Sequence, residues 1–142
     1  MKRILVMGLP GSGKTYLAQY ILEHLQNENK TVMWLNADDV RKKYNDWDFS
    51  YSGRFRQTER MRDLAKLAES NGVIAICDFV CPTEEFRKMF DADITIWMDT
   101  IKESEYDDTN KLFEPPTEYD FRITEHNDRW PETLADLVWI LV

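Results

Sequence analysis

Apolar residues in this chain gather in short runs, separated by stretches in which they recur every third or fourth position. The runs at 2–7 (KRILVM), 31–35 (TVMWL), 73–77 (VIAIC) and 93–98 (DITIWM) predict strands, and 121–124 a short fifth one. VIAIC is apolar throughout, the pattern of a strand covered on both faces. Helices are predicted over 14–28, 38–44, 54–71, 83–90 and 131–141. In the clearest of them, Met61, Leu64, Ala65 and Ala68 fall on one face, and Asn71-Gly72 supplies a stop. Residues 45–53 (NDWDFSYSG) read as a polar loop carrying aromatic residues. Residues 99–118, with many charges and Pro115-Pro116, read as the most loop-like segment.

Strands alternating with helices imply βαβ crossovers, and so a mostly parallel sheet with helices on both faces. Ligands in such sheets sit at the carboxyl ends of the strands. That gives weight to the loops 8–15, 36–41, 78–83 and 99–118. The first of these is Gly8-Leu9-Pro10-Gly11-Ser12-Gly13-Lys14-Thr15, which meets the pattern G-x-x-x-x-G-K-[ST] at every fixed position, with a strand before it and a helix after it. The glycines Gly8, Gly11 and Gly13 let backbone amides, with that of Ser12, approach an anion closely. The helix start adds positive potential. Lys14 is placed to reach the β- and γ-phosphates, and Thr15 to offer a hydroxyl to Mg²⁺. The expected fold is therefore an α/β, three-layer P-loop NTPase fold with about five mostly parallel strands. The expected cofactors are ATP and Mg²⁺.

Composition narrows the partners. The 142 residues suit one domain over 1–142, and 43% hydrophobic and 13% aromatic content suit a folded core. The net charge of −8 argues against extended nucleic-acid binding. No apolar run approaches membrane length and no secretory leader is read at the amino end, which points to a cytoplasmic protein. Cys77 and Cys81 are expected to be reduced thiols. The basic groups Arg41-Lys42-Lys43 and Arg54, Arg56, Arg60, Arg62 are either solvated helix faces or a local positive site for a small anionic acceptor.

A phosphate loop alone does not name the acceptor. The guanine-reading N-K-x-D of GTPases is absent: Asn110-Lys111-Leu112 ends in Phe113. A small-molecule kinase is expected, with 99–118 as a lid. Asp38, just past the second strand, is the candidate carboxylate for the attacking hydroxyl; its alternative role is to cap the helix that follows. Asp78, after the third strand, is a candidate for holding Mg²⁺, with a plain turn residue as its alternative.

Together these segments resemble the adenylylsulfate kinase family, which phosphorylates the 3′-hydroxyl of adenylyl sulfate with Mg-ATP. Gly8 to Thr15 resembles the family's GLSGAGKT, and Asn36 to Arg41 its DGDNVR. Phe49-Ser50 with Arg54 and Gln57 resembles its FS-x-x-DR-x-EN. Asn71 to Ala75 resembles its AGVI, Asp78 to Pro82 its SFISP, and Phe113 to Pro116 its YEPP. The resemblance implies that Asp38 is catalytic, that Arg41, Arg54 and Gln57 hold the sulfate-phosphate end of the acceptor, and that Phe49 and Phe79 pack on its adenine. It also implies a place in sulfate assimilation. A core role for both phenylalanines is the competing expectation. The chain departs from the pattern at Gly53, where the family has Asp, and at 101–112, which is shorter and acidic. A monomer or homodimer is expected.

Overall fold

We describe a computed structural model of the chain over residues 2–126 and 130–142. The first strand, β1 (Arg3–Met7), lies at the centre of a five-stranded sheet. β2 (Val32–Asn36), β3 (Ile74–Asp78), β4 (Ile94–Met98) and β5 (Phe121–Ile123) complete it in the order β2-β3-β1-β4-β5, with every pairing parallel. The register sets Val6 beside Asp78 and Asn36 beside Asp78, which brings the ends of β1, β2 and β3 level.

The period-two alternation of the strands sorts their side chains into two cores. Leu5, Met7, Ala75, Cys77 and Trp97 face one side. There they meet Met61, Ala65 and Ala68 of α3 (Tyr51–Ser70), and Phe86 and Phe90 of α4 (Glu84–Phe90). Ile4, Val6, Ile74, Ile76, Ile94, Ile96 and Met98 face the other side. That layer is closed by Leu17, Ile21 and Leu25 of α1 (Lys14–Asn27) and by Leu134 and Val138 of α6 (Trp130–Leu141). Each large side chain so buried is worth roughly 1.5–3 kcal/mol. Central strands covered on both faces explain why VIAIC is apolar without alternation. The three-layer α/β architecture expected from the sequence is the one observed.

Three local details differ from the sequence reading. The long helix starts at Tyr51 rather than Arg54, because Ser50 caps it by accepting the Gly53 amide at 3.2 Å. The helix α2 (Ala37–Tyr44) is capped by Asn36, whose side chain accepts the Asp39 amide at 3.1 Å. Asp38 is therefore not its cap. Within 99–118 there is a short helix, α5 (Asp107–Leu112), which opens on Asp107 and Asp108.

Gly53 has a steric reason. A Cβ there would lie 2.1 Å from the Asp48 carbonyl oxygen, so the loop 45–50 can lie against α3 only if this residue has no side chain. Cys77 and Cys81 are buried free thiols, and burial pushes both pKa values up. No described helix is long and apolar enough to cross a membrane.

Candidate active site

Between β1 and α1 the chain turns through residues 8–13 with two glycines in tight places. Gly8 has φ of 150°, and a Cβ would meet the Met98 carbonyl oxygen at 2.5 Å. Gly13 has φ of 100°, and a Cβ would meet the His126 ring at 2.5 Å. No side chain caps α1 at Gly13. The first amides of a helix have no intrahelical acceptor, so this end offers N–H groups and a positive dipole to an anion. Thr100 Oγ1 fixes the loop from β4 by donating to the Ser12 carbonyl at 2.7 Å. The Ser12 hydroxyl is wholly buried, with no hydrogen-bond partner among the described residues.

This turn forms one end of a cavity of about 580 Å³. Its wall includes Pro10, Gly11, Lys14 and Thr15 from the turn, Asn36 to Asp38 from the end of β2, and Asp78 to Val80 from the end of β3. The same wall includes Trp47, Phe49, Arg54, Tyr106, Asp108 and Thr109. All four loops weighted from the sequence thus contribute to one space.

Lys14 donates to the Leu9 carbonyl at 3.0 Å. Burial lowers its pKa to about 8, against the opposing attraction of Asp78 and Asp38. Asp78 is 2% exposed. Its carboxylate accepts from Thr15 Oγ1 at 2.9 Å, Trp34 Nε1 at 2.9 Å, and Asn36 Nδ2 at 3.1 and 3.2 Å. Burial raises its pKa, while those donors and Lys14 pull it down. Among the described residues no group of three or more His, Cys, Asp or Glu side chains could cage a metal. The Thr15 hydroxyl lies beside the Asp78 carboxylate, two oxygen donors of the hard kind that suits a cation sharing its other ligands with phosphates and water. Asp38 is exposed to the cavity from the first turn of α2.

Of the acceptor residues implied by resemblance, the structure brings Asp38, Phe49, Arg54 and Phe79 to the cavity. Arg41 and Gln57 are buried and are not part of its wall. Arg41 donates to the Asp46 and Asp48 carbonyls at 3.0 and 3.1 Å and stacks 4.1 Å from the Phe49 ring centre. Gln57 donates to the Ala37 carbonyl at 3.0 Å and accepts from Arg60. Both side chains support the loop and helix behind the wall. Phe79 is largely core, edge-on to Phe90 with ring centres 5.2 Å apart, whereas Phe49 is 45% exposed. The joint core role considered for these two rings fails for Phe49.

Arg54 is buried, a placement that lowers its pKa against the attraction of Asp108. Its Nε donates to the Phe49 carbonyl at 2.8 Å, and its Nη2 to Thr109 Oγ1 at 2.8 Å and Asp108 Oδ2 at 3.4 Å. Arg56 and Arg60 pair with Asp46, and Arg62 with Asp63. Of that basic group Arg54 lines the cavity, and the other three serve the surface. Trp47, Tyr106, Asp108 and Thr109 were not among the site residues expected from the sequence, although Asp108 and Thr109 lie in the acidic segment noted there as a departure from the family pattern. The only signal was their position in loops at the active end of the sheet.

A parallel sheet with a glycine-rich G-x-x-x-x-G-K-[ST] turn after its central strand, a carboxylate at the end of the neighbouring strand and a second carboxylate on the same cavity is the architecture of the P-loop kinase fold. Residues 2–114 match the model of the family described as "Adenylylsulphate kinase", and the chain belongs to that family. It is 40% identical to a probable adenylyl-sulfate kinase of Aeropyrum pernix over 83 residues, which are 58% of this chain and 45% of the relative. It is 34% identical to the adenylyl-sulfate kinase of Bacillus pumilus over 87 residues, 61% of this chain and 44% of the relative. The matched stretch thus spans about half the length of these relatives. The APS kinase of Mycobacterium tuberculosis, solved in complex with AMPPNP and APS, superposes with a TM-score of 0.81 at 22% identity. That superposition covers 99% of this chain and 96% of the other.

Proposed function

We propose that this chain is an ATP-dependent kinase that moves the γ-phosphoryl group of Mg-ATP to the 3′-hydroxyl of adenylyl sulfate. The observation that carries the reading is that Asp38 and the Lys14 end of the glycine-rich turn share one cavity with Arg54 and Phe49. A donor phosphate, a hydroxyl and an acceptor fit in that order.

The residues take distinct parts. The amides at the start of α1, with those of Gly11, Ser12 and Gly13, hold the β- and γ-phosphates. Lys14 exchanges the Leu9 carbonyl for phosphate oxygens. Thr15 and Asp78 hold the hydrated Mg²⁺, which when bound neutralises charge on the phosphates. Asp38 orients the acceptor hydroxyl and takes its proton. The hydroxyl oxygen forms the new bond to phosphorus as the bond to the β-phosphate oxygen breaks, leaving ADP. Phe49, with Trp47 and Tyr106, offers faces for the acceptor's planar base. Arg54 meets its anionic end, and Arg41 and Gln57 keep Phe49 and the start of α2 in place. Segment 99–118 acts as the lid.

The test is incubation of the full chain with Mg-ATP and adenylyl sulfate, followed by mass analysis. ADP together with a phosphorylated adenylyl sulfate is expected. ADP with a phosphorylated nucleoside only, or no transfer at all, overturns the proposed acceptor.

A further inference from the structure

The cation at the acceptor end already has an anion. Arg54 is anchored by the Phe49 carbonyl and by the buried Thr109 hydroxyl, each at 2.8 Å. Its third partner is different in kind. The Asp108 carboxylate sits 3.4 Å from the same Nη2, and its side chain is 69% exposed against 8% for Arg54. The guanidinium is thus fixed, and the one partner that can be exchanged without uncovering a buried group is a carboxylate of the chain itself.

Charge bookkeeping at this end follows from the partners. Lys14 belongs to the phosphate end, and Asp78 is held by Thr15, Trp34 and Asn36. What remains facing an acceptor is Arg54 against Asp38 and Asp108. An incoming dianion therefore meets a wall with an excess of negative charge, and at Arg54 Nη2 it competes with Asp108. The aromatic faces of Trp47, Phe49 and Tyr106 in the same wall attract a planar base whatever its charge.

We infer that Asp108 is a specificity-determining residue of the acceptor end: its carboxylate competes at Arg54 with the anionic group of adenylyl sulfate and so sets how strongly the site discriminates a charged acceptor from an uncharged one with the same planar base. The inference rests on the proposed reading that the acceptor binds between Asp38 and Arg54.

The experiment uses the full chain saturated with Mg-ADP, titrated calorimetrically with two probes, adenylyl sulfate and adenosine. D108N keeps the size of the side chain and removes its charge. It is expected to bind adenylyl sulfate about three- to tenfold more tightly than wild type, with adenosine affinity unchanged within about twofold, and the gain shrinks at high salt. D108E, which keeps the charge, is expected to behave as wild type toward both probes. Equal affinity of wild type and D108N for adenylyl sulfate, including no detectable binding by either, overturns the assignment, as does an equal gain for adenosine. The transfer assay is read separately. Product formation with equal affinities sinks only the role of Asp108, whereas a charge-dependent affinity without product sinks only the acceptor's identity.

Discussion

Replacing Asp78 by alanine removes the acceptor on which three side chains from two elements converge. The carboxylate takes hydrogen bonds from Thr15 on α1, Trp34 on β2 and Asn36 at the end of β2, at 2.9 to 3.2 Å. Water from the cavity can reach the Thr15 hydroxyl. The Trp34 indole and the Asn36 amide are half-buried, so each is left with a poorly satisfied donor costing about 1–2 kcal/mol. Relief of the buried charge returns part of this. The net expectation for D78A is a loss of about 2–3 kcal/mol in urea unfolding. D78N, which still accepts from Trp34, is expected to lose about half as much. The pH dependence has a defined sign. Burial raises the folded pKa of Asp78 above its ordinary value of 3.8. The proton-linked part of its contribution is therefore complete below that value and is lost as pH rises through the folded pKa, leaving the hydrogen bonds to the carboxylate; this pH-dependent component is absent from D78N. Both variants should also bind nucleotide with a weaker dependence on Mg²⁺. A D78A protein within about 0.5 kcal/mol of wild type refutes the reasoning, because the donors would then have other partners.

Lys14, with a pKa lowered to about 8, is expected to make nucleotide affinity pH-dependent. Phosphates bind the ammonium form and raise its pKa, so ADP affinity should hold steady below about 8 and fall above it. K14M should bind weakly with no such slope, and a slope that survives in K14M contradicts the role. G53A forces the Asp48 carbonyl away from α3 and should cost about 1–3 kcal/mol by urea unfolding; an unchanged midpoint would show that the loop does not rest there.

The strands and their order were legible because burial on two faces leaves a plain record: uninterrupted apolar runs joined by helices. The phosphate-binding turn was legible because its demands are on the backbone, and Gly8 and Gly13 are where side chains would collide. The start of α3 was not, since Gly53 and the neighbouring aromatics look like loop residues until Ser50 is seen capping and Asp48 is seen touching Gly53. Helix α5 escaped because six residues with no apolar period leave no pattern; its Thr109 hydroxyl, which accepts from Arg54, is a tertiary contact. Arg41 and Gln57 illustrate a different limit. Residue type told what each could bind, but not that each turns a donor to main-chain carbonyls behind the wall.

The central claim is that Asp38 handles the hydroxyl that attacks the γ-phosphorus. The most direct test is single-turnover transfer from Mg-ATP to adenylyl sulfate by wild type and D38N, each saturated with nucleotide. A fall of about 100-fold or more in the transfer rate is expected for D38N; transfer at the wild-type rate contradicts the account.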